Sequence, residues 1–181
     1  MPNRLFLTLT ASALLACGCA SSRSLSASWE DMTANGAIDD RLDNDESFEF
    51  KDVDLTVFEG RVLLTGTVAS AAEQRRLVEH ALASDHVVQV IDETVISPRT
   101  TTAQGLTDAR IDTTIRTRLT ASGKVRASDV KIAVSNGSVY LLGVTRDRDS
   151  LEKMISTART TPRVRQVVSH VIYMDATGEA L

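Results

Sequence analysis

The ten-residue phrase VFEGRVLLTG, Val57–Gly66, returns seventy-seven residues later as VSNGSVYLLG, Val134–Gly143. An internal repeat constrains the architecture of a chain more than any single motif, because each copy must fold by the same rules. Sliding the chain along itself by this offset aligns Ala37–Ser97 with Thr114–Met174 without a gap. Ile38 falls on Ile115, Leu42 on Leu119, Val53 on Val130, Val62 on Val139, Leu64 on Leu141 and Val90 on Val167. Other pairs keep only their apolar character, as in Leu55/Ile132, Leu77/Met154 and Ile91/Val168. Packing positions are kept while surface positions have diverged, which is the mark of a duplicated small domain.

Each copy predicts the same run of elements. Ile111, Ile115 and Leu119 recur at helical spacing and place an apolar stripe on one side of a helix. Val130, Ile132 and Val134 then alternate, Asn136-Gly137 turns the chain, and Val139, Leu141 and Gly143 continue the alternation. Asn-Gly between alternating runs predicts a type I′ hairpin, whose two central residues both need positive φ. Glu59-Gly60 stands at the same place in the first copy. A second helical stretch follows (Leu151, Met154, Ile155, Ala158; earlier Leu77, Val78, Ala81, Leu82), and a last strand closes each unit at Val87–Ile96 and Val164–Tyr173. The expected fold class is therefore α+β: two tandem αββαβ modules, each a three-stranded mixed sheet with two helices on one face. Modules of about 60 residues lie near the lower limit for independent folding, so each is expected to lean on the other. The expected divisions are a signal segment over 1–19, a Ser- and Ala-rich tether over 20–36, a first module over 37–97, a Pro- and Thr-rich linker over 98–105 and a second module over 106–175.

The hairpin runs VDLTVFEGRVLLTG (Val53–Gly66) and VKIAVSNGSVYLLG (Val130–Gly143), with the preceding helix, the second helix and the closing Val-rich strand, resemble the BON domain. Members of that family often have Gly before the first Val of the last strand; His86 and Arg163 stand there in this chain. Two such domains behind a lipoprotein signal resemble the dual-BON lipoproteins of Gram-negative outer membranes. That resemblance implies a protein without catalytic activity, linked to phospholipid binding and to the integrity of the envelope.

The opening Met1–Ala20, MPNRLFLTLTASALLACGCA, has one Arg, an apolar stretch and then small residues with cysteine. It reads as a secretion signal, too short and wrongly flanked for a spanning helix. Leu14-Leu15-Ala16-Cys17 fits a lipobox, in which the thiol of Cys17 receives diacylglycerol; Cys19 is the alternative. Sorting logic implied by the resemblance places the protein at the outer membrane, facing the periplasm, because Gly18 (or Ala20) rather than Asp follows the cysteine. With no further cysteine in the chain, the mature modules hold no internal disulfide.

The net charge of −4 hides an asymmetry. Ala37–Pro98 carries 14 Asp/Glu against 5 Lys/Arg, a balance of −9, whereas Leu106–Asp175 carries 7 against 12, a balance of +5. On the first helix of the second module, Arg110 and Arg116 flank the face opposite the apolar stripe. Arg118 sits nearer the core boundary, and Lys124 and Arg126 follow in the loop. Family precedent makes an anionic phospholipid surface the first partner for these five cations. Each is worth about 1 kcal/mol near such a surface, so together they give weak binding of roughly millimolar to sub-millimolar strength. Apart from Leu106 the face has nothing to insert, so contact at headgroup level is expected. Two other uses of the charge remain open: docking of the basic module on the acidic one, and docking on an envelope protein partner.

Other chemistry is scarce. His80, His86 and His170 have no acidic or cysteine neighbours at ligand spacing, so no metal site is expected. The acidic run Asp39–Glu46 lacks the Gly and terminal Glu of a calcium loop and reads as a polar helix end. No nucleophile elbow, phosphate loop or nucleotide fingerprint occurs. No catalytic residue, cofactor or small-molecule substrate is expected, and an exported chain of pI about 5.4 does not suit nucleic acid.

Overall fold

The computed structural model describes residues 25–97, 101–126 and 128–174. In chain order the elements are α1 (Leu25–Asp43), β1 (Val53–Phe58), β2 (Arg61–Val68), α2 (Ala71–Leu82), β3 (Gln89–Asp92), β4 (Val95–Ile96), α3 (Thr102–Ser122), β5 (Val130–Ser135), β6 (Ser138–Thr145), α4 (Arg148–Arg159) and β7 (Gln166–Tyr173). Each module is αββαβ with a mixed sheet. β1 pairs antiparallel with β2, which pairs parallel with β3 and then β4. β5, β6 and β7 repeat that order.

Alternation in the central strands decides which side chains meet the helices. Val62, Leu64 and Val68 of β2 point to α1 and α2, where they meet Ile38, Leu42, Leu77 and Ala81. Val139 and Leu141 of β6 meet Ile111, Ile115, Leu119, Met154 and Ala158. The hairpin turns are left-handed at both central residues, with φ of 51° at Glu59, 72° at Gly60, 51° at Asn136 and 77° at Gly137. Both are the predicted I′ type.

Structure and sequence expectation part at three places. The segment expected to be a tether, 20–36, is helical from Leu25 onward. Two inward groups hold that extra length. Ala34 is buried, and the carboxylate of Asp31 accepts hydrogen bonds from the backbone N–H groups of Glu59 (2.9 Å) and Gly60 (3.0 Å). The end of the expected linker 98–105 is likewise the start of α3, because Thr101 caps it by accepting from Gln104 N. The last strand of the first module is interrupted at Glu93-Thr94, where the Asp92 carboxylate accepts from the Thr94 N–H and hydroxyl while Glu93 N keeps its bond to the Leu64 carbonyl at 2.9 Å. The modules do lean on each other, as expected, and they do so through the sheet faces turned away from the helices. Phe58 and Leu63 of the first module pack with Ala133, Tyr140 and Leu142 of the second, flanked by Ile91, Val144 and Val168. The two sheets thus lie face to face, with a helical layer outside each.

Polar contacts cross this junction too. Arg61 donates from Nη2 to the His170 carbonyl (2.9 Å) and from Nη1 to the Gly143 carbonyl (3.4 Å). His170 Nε2 lies 2.8 Å from Glu93 Oε1. Glu93 and His170 occupy equivalent places in the repeat, so a residue meets its own counterpart there.

Candidate functional site

The charged surface of the second module is built on α3. Its inward face is set by Ile111, Ile115 and Leu119 and by Asp108, whose carboxylate binds the Asn136 (2.8 Å) and Gly137 (2.9 Å) N–H groups of the hairpin. This repeats the role of Asp31 at the equivalent position. Thr113, Thr114 and Thr117 each donate a hydroxyl to the carbonyl four residues back, so the flank and outer face of α3 offer small, internally satisfied side chains with few free donors.

The five basic residues fall into distinct settings. Arg110 is exposed on the outer face and its side chain has no partner among the described residues. Lys124 is exposed in the loop, and its charge helps hold the Asp147 carboxyl below the usual range, behind the larger effect of the Ser150 hydrogen bond. Arg126 is exposed in the same loop. Arg116 is half exposed and held. Its Nε donates to both oxygens of Asp112 (3.0 and 2.8 Å), and its Nη2 donates to the Ile132 carbonyl (2.9 Å). Arg118 donates from Nη1 to the Thr160 carbonyl and the Thr161 hydroxyl, both at 3.3 Å, at the C-terminal end of α4. A cation there complements the helix dipole and satisfies a terminal carbonyl. These contacts of Arg116 and Arg118 all lie within the second module.

The junction between modules is therefore centred on apolar side chains and on Arg61, Glu93 and His170, with α3 set to one side. Two grooves flank it. One, of about 480 Å³, is lined by Asp52 and Asp54 beside Asp108, Asp112 and Arg116. Burial, reinforced by Asp108 and Asp52, pushes the Asp54 carboxyl up. The other, of about 710 Å³, is lined by Asp31, Met32 and Asn35 of α1 together with Arg116 and Lys131.

The repeat offset lets the two helical faces be compared residue by residue. Arg110, Arg116 and Thr117 stand where α1 has Thr33, Asp39 and Asp40. Leu106, 61% exposed, stands where α1 has Trp29, 70% exposed. Sequence reasoning placed Trp29 in a tether and so missed its position on a helix; extending the 77-residue offset back to Asp31/Asp108 was the signal that could have found it.

Two histidines have acidic partners that sequence spacing did not reveal. His80 Nε2 lies 2.7 Å from Asp45 Oδ2, which also accepts from Arg76 Nε at 2.8 Å. His80 first, then Arg76, holds the Asp45 carboxyl far below the ordinary range. The second pair is His170 with Glu93. Each is a single contact across elements, and among the described residues no group of three His, Cys, Asp or Glu is placed to hold a metal ion. No helix among the described residues is long and apolar enough to cross a membrane. Cys17, Cys19 and the signal segment lie outside the described residues.

Comparison with known proteins adds the following. A family model for the BON domain matches residues 31–98 and 107–175, the first span opening at the hairpin-binding Asp31. The chain is 30% identical over 132 residues to an uncharacterized protein in the gshII 5′ region of Anaplasma centrale, covering 71% of this chain and 87% of that protein. It is 28% identical over 148 residues to the outer membrane lipoprotein DolP of Haemophilus influenzae, covering 81% of this chain and 76% of that protein. Among solved structures, CdsD, a structural protein of the type III secretion system of Chlamydia trachomatis, aligns at a TM-score of 0.35 and 15% identity, over 78% of this chain and 92% of that one.

Proposed function

Because the chain belongs to the BON domain family and carries the domain twice, we propose that it is a non-catalytic lipoprotein of the outer membrane that supports envelope integrity. A lipidated cysteine, Cys17 or Cys19, holds it on the periplasmic side, and the second BON domain contacts anionic phospholipid headgroups. Its similarity to an outer membrane lipoprotein supports the anchor. The observation that carries the lipid contact is the divergence of one helical face. At matched positions α3 presents Arg110 and Arg116 where α1 presents Thr33 and Asp39, and Arg110 is exposed with no side-chain partner among the described residues.

Magnitudes divide the labour. Arg116 and Arg118 are tied down within their own module, so Arg110 and Lys124 are the cations most available to headgroups. At about 1 kcal/mol each they select lipids without holding the protein. Stable attachment needs multiple acyl chains. The domain therefore biases where an already tethered protein sits.

Vesicle sedimentation tests this, with a soluble form starting at Ala20 so that no acyl chain masks the weak term. The expected outcome is pelleting with anionic but not neutral vesicles, weakened by salt and reduced about fivefold or more by Arg110→Glu with Lys124→Glu. No pelleting with either vesicle removes the lipid reading and leaves the rival one, a periplasmic scaffold whose domains bind an envelope protein.

A further inference from the structure

The acidic first module has an apolar surface of its own, on the helix nearest the anchor. Asp31, Ala34, Ile38 and Leu42 of α1 are buried. At 100° per residue Trp29 lies opposite that stripe, with Met32 to one side of it. They are 70% and 67% exposed. The Trp29 indole N–H has no hydrogen-bond partner among the described residues. An indole held away from its own core by a helix that the hairpin locks in place, through Asp31, is a fixed feature of the surface.

Chain length says what covers it. Cys17 and Cys19 precede Leu25 by eight and six residues. Even fully extended, those spans reach at most about 29 and 22 Å, and the helix adds only about 6 Å to Trp29. From Ala20 to Trp29 the one charged residue is Arg23, and the first acid is Glu30. Tryptophan, with an apolar body and a polar N–H, favours the boundary between headgroups and acyl chains. The N-terminal end of α1 also carries the positive end of the helix dipole, the end that tolerates phosphate.

We propose that Trp29 and Met32 on the first two turns of α1 form a second membrane contact, seated at the headgroup–acyl boundary of a phospholipid bilayer and indifferent to headgroup charge. This rests on the lipid-anchored reading above and divides the membrane work between the modules. The first inserts an indole beside the anchor, and the second reads anionic headgroups through Arg110 and Lys124.

Trp29 is the sole tryptophan of the chain, so its fluorescence reports on this contact alone. The test uses the full acylated protein reconstituted in phosphatidylcholine vesicles, with and without lipids brominated near the top of the acyl chains. The expected result is blue-shifted emission and a loss of about half or more of the intensity with brominated lipid. Both should be unchanged when anionic lipid is added or when Arg110→Glu is introduced. Emission typical of hydrated indole, untouched by bromine, overturns the proposal. So does a blue shift that appears without lipid and grows with protein concentration, which would assign the surface to a second copy. An unquenched Trp29 in a protein that still prefers anionic vesicles sinks this inference alone; a quenched Trp29 with no charge preference sinks the headgroup reading alone.

Discussion

His86 and Arg163 show how one residue can sit against its own preference. Their φ angles are 65° and 70°, in the left-handed region where an L side chain crowds the following carbonyl. They stand just before the last strand of each module, where Val88 N and Arg165 N donate to the hairpin carbonyls of Gly60 and Gly137, both at 2.8 Å. That pair of bonds fixes the backbone path, and the side chain must follow it. Family members often have Gly at this place, and the angle supplies the reason. Arg163→Gly should stabilise the protein by about 0.5–1 kcal/mol, the relief of left-handed strain exceeding the extra chain entropy of glycine. Urea denaturation should show a higher midpoint at an unchanged slope. A lower midpoint would mean that the arginine side chain contributes more than its backbone costs. Sequence marks the position as unusual, but the sign of φ is set only by the folded backbone.

At the scale of elements, the helix–hairpin unit is held by one carboxylate per module. Asp31 and Asp108 each accept two N–H groups from a type I′ turn, and both are buried. The turn's N–H groups point away from the ladder and need an acceptor, which the first helix supplies. Asp108→Ala should cost about 2–4 kcal/mol, because it strips two buried donors of a charged acceptor. Hydrogen exchange should then rise first at Asn136 and Gly137. If those amides stay as protected as in the parent, the carboxylate is not what holds the turn. This contact also explains why the start of α1 was hard to read. Ser-rich sequence and Gly36 weaken the local helix signal, while the stabilising bond joins residues 28 apart. At the interruption of the last strand in the first module, Asp92 binds Thr94 through a local side-chain bond that periodicity does not record.

The whole molecule is decided by the layer between the sheets. Leu63 and Leu142 are fully buried, and Phe58 is 1% and Tyr140 6% exposed. Each lies on a sheet face that its own module leaves uncovered. Modules of this size bury too little surface alone, and closing the second face of each sheet offsets that deficit. Calorimetry should therefore show one cooperative unfolding transition for both modules. Leu142→Asp should lower the stability of the pair by about 3 kcal/mol or more, by placing an unpaired charge in an apolar layer. Two separate transitions, with the first module unaffected by the substitution, would mean that the modules fold independently. The same layer bears on the candidate site. Because the junction draws on sheet faces, the outer sides of α1 and α3 remain available for contacts with other surfaces.

The repeat, the order of elements, the I′ turns and the helix-facing core were determined by sequence alone, since each depends on residues close along the chain whose periodicity records one buried face. The charge contrast between modules was equally plain, being a matter of composition. Tertiary structure alone decided that the opposite sheet faces meet, that Asp31 and Asp108 hold the hairpins, that Arg116 and Arg118 are bound within their module while Arg110 is not, and that Trp29 stands on a helix. Each of those depends on groups far apart in sequence and close in space, and local pattern carries no record of what lies across a gap until the chain has folded over it.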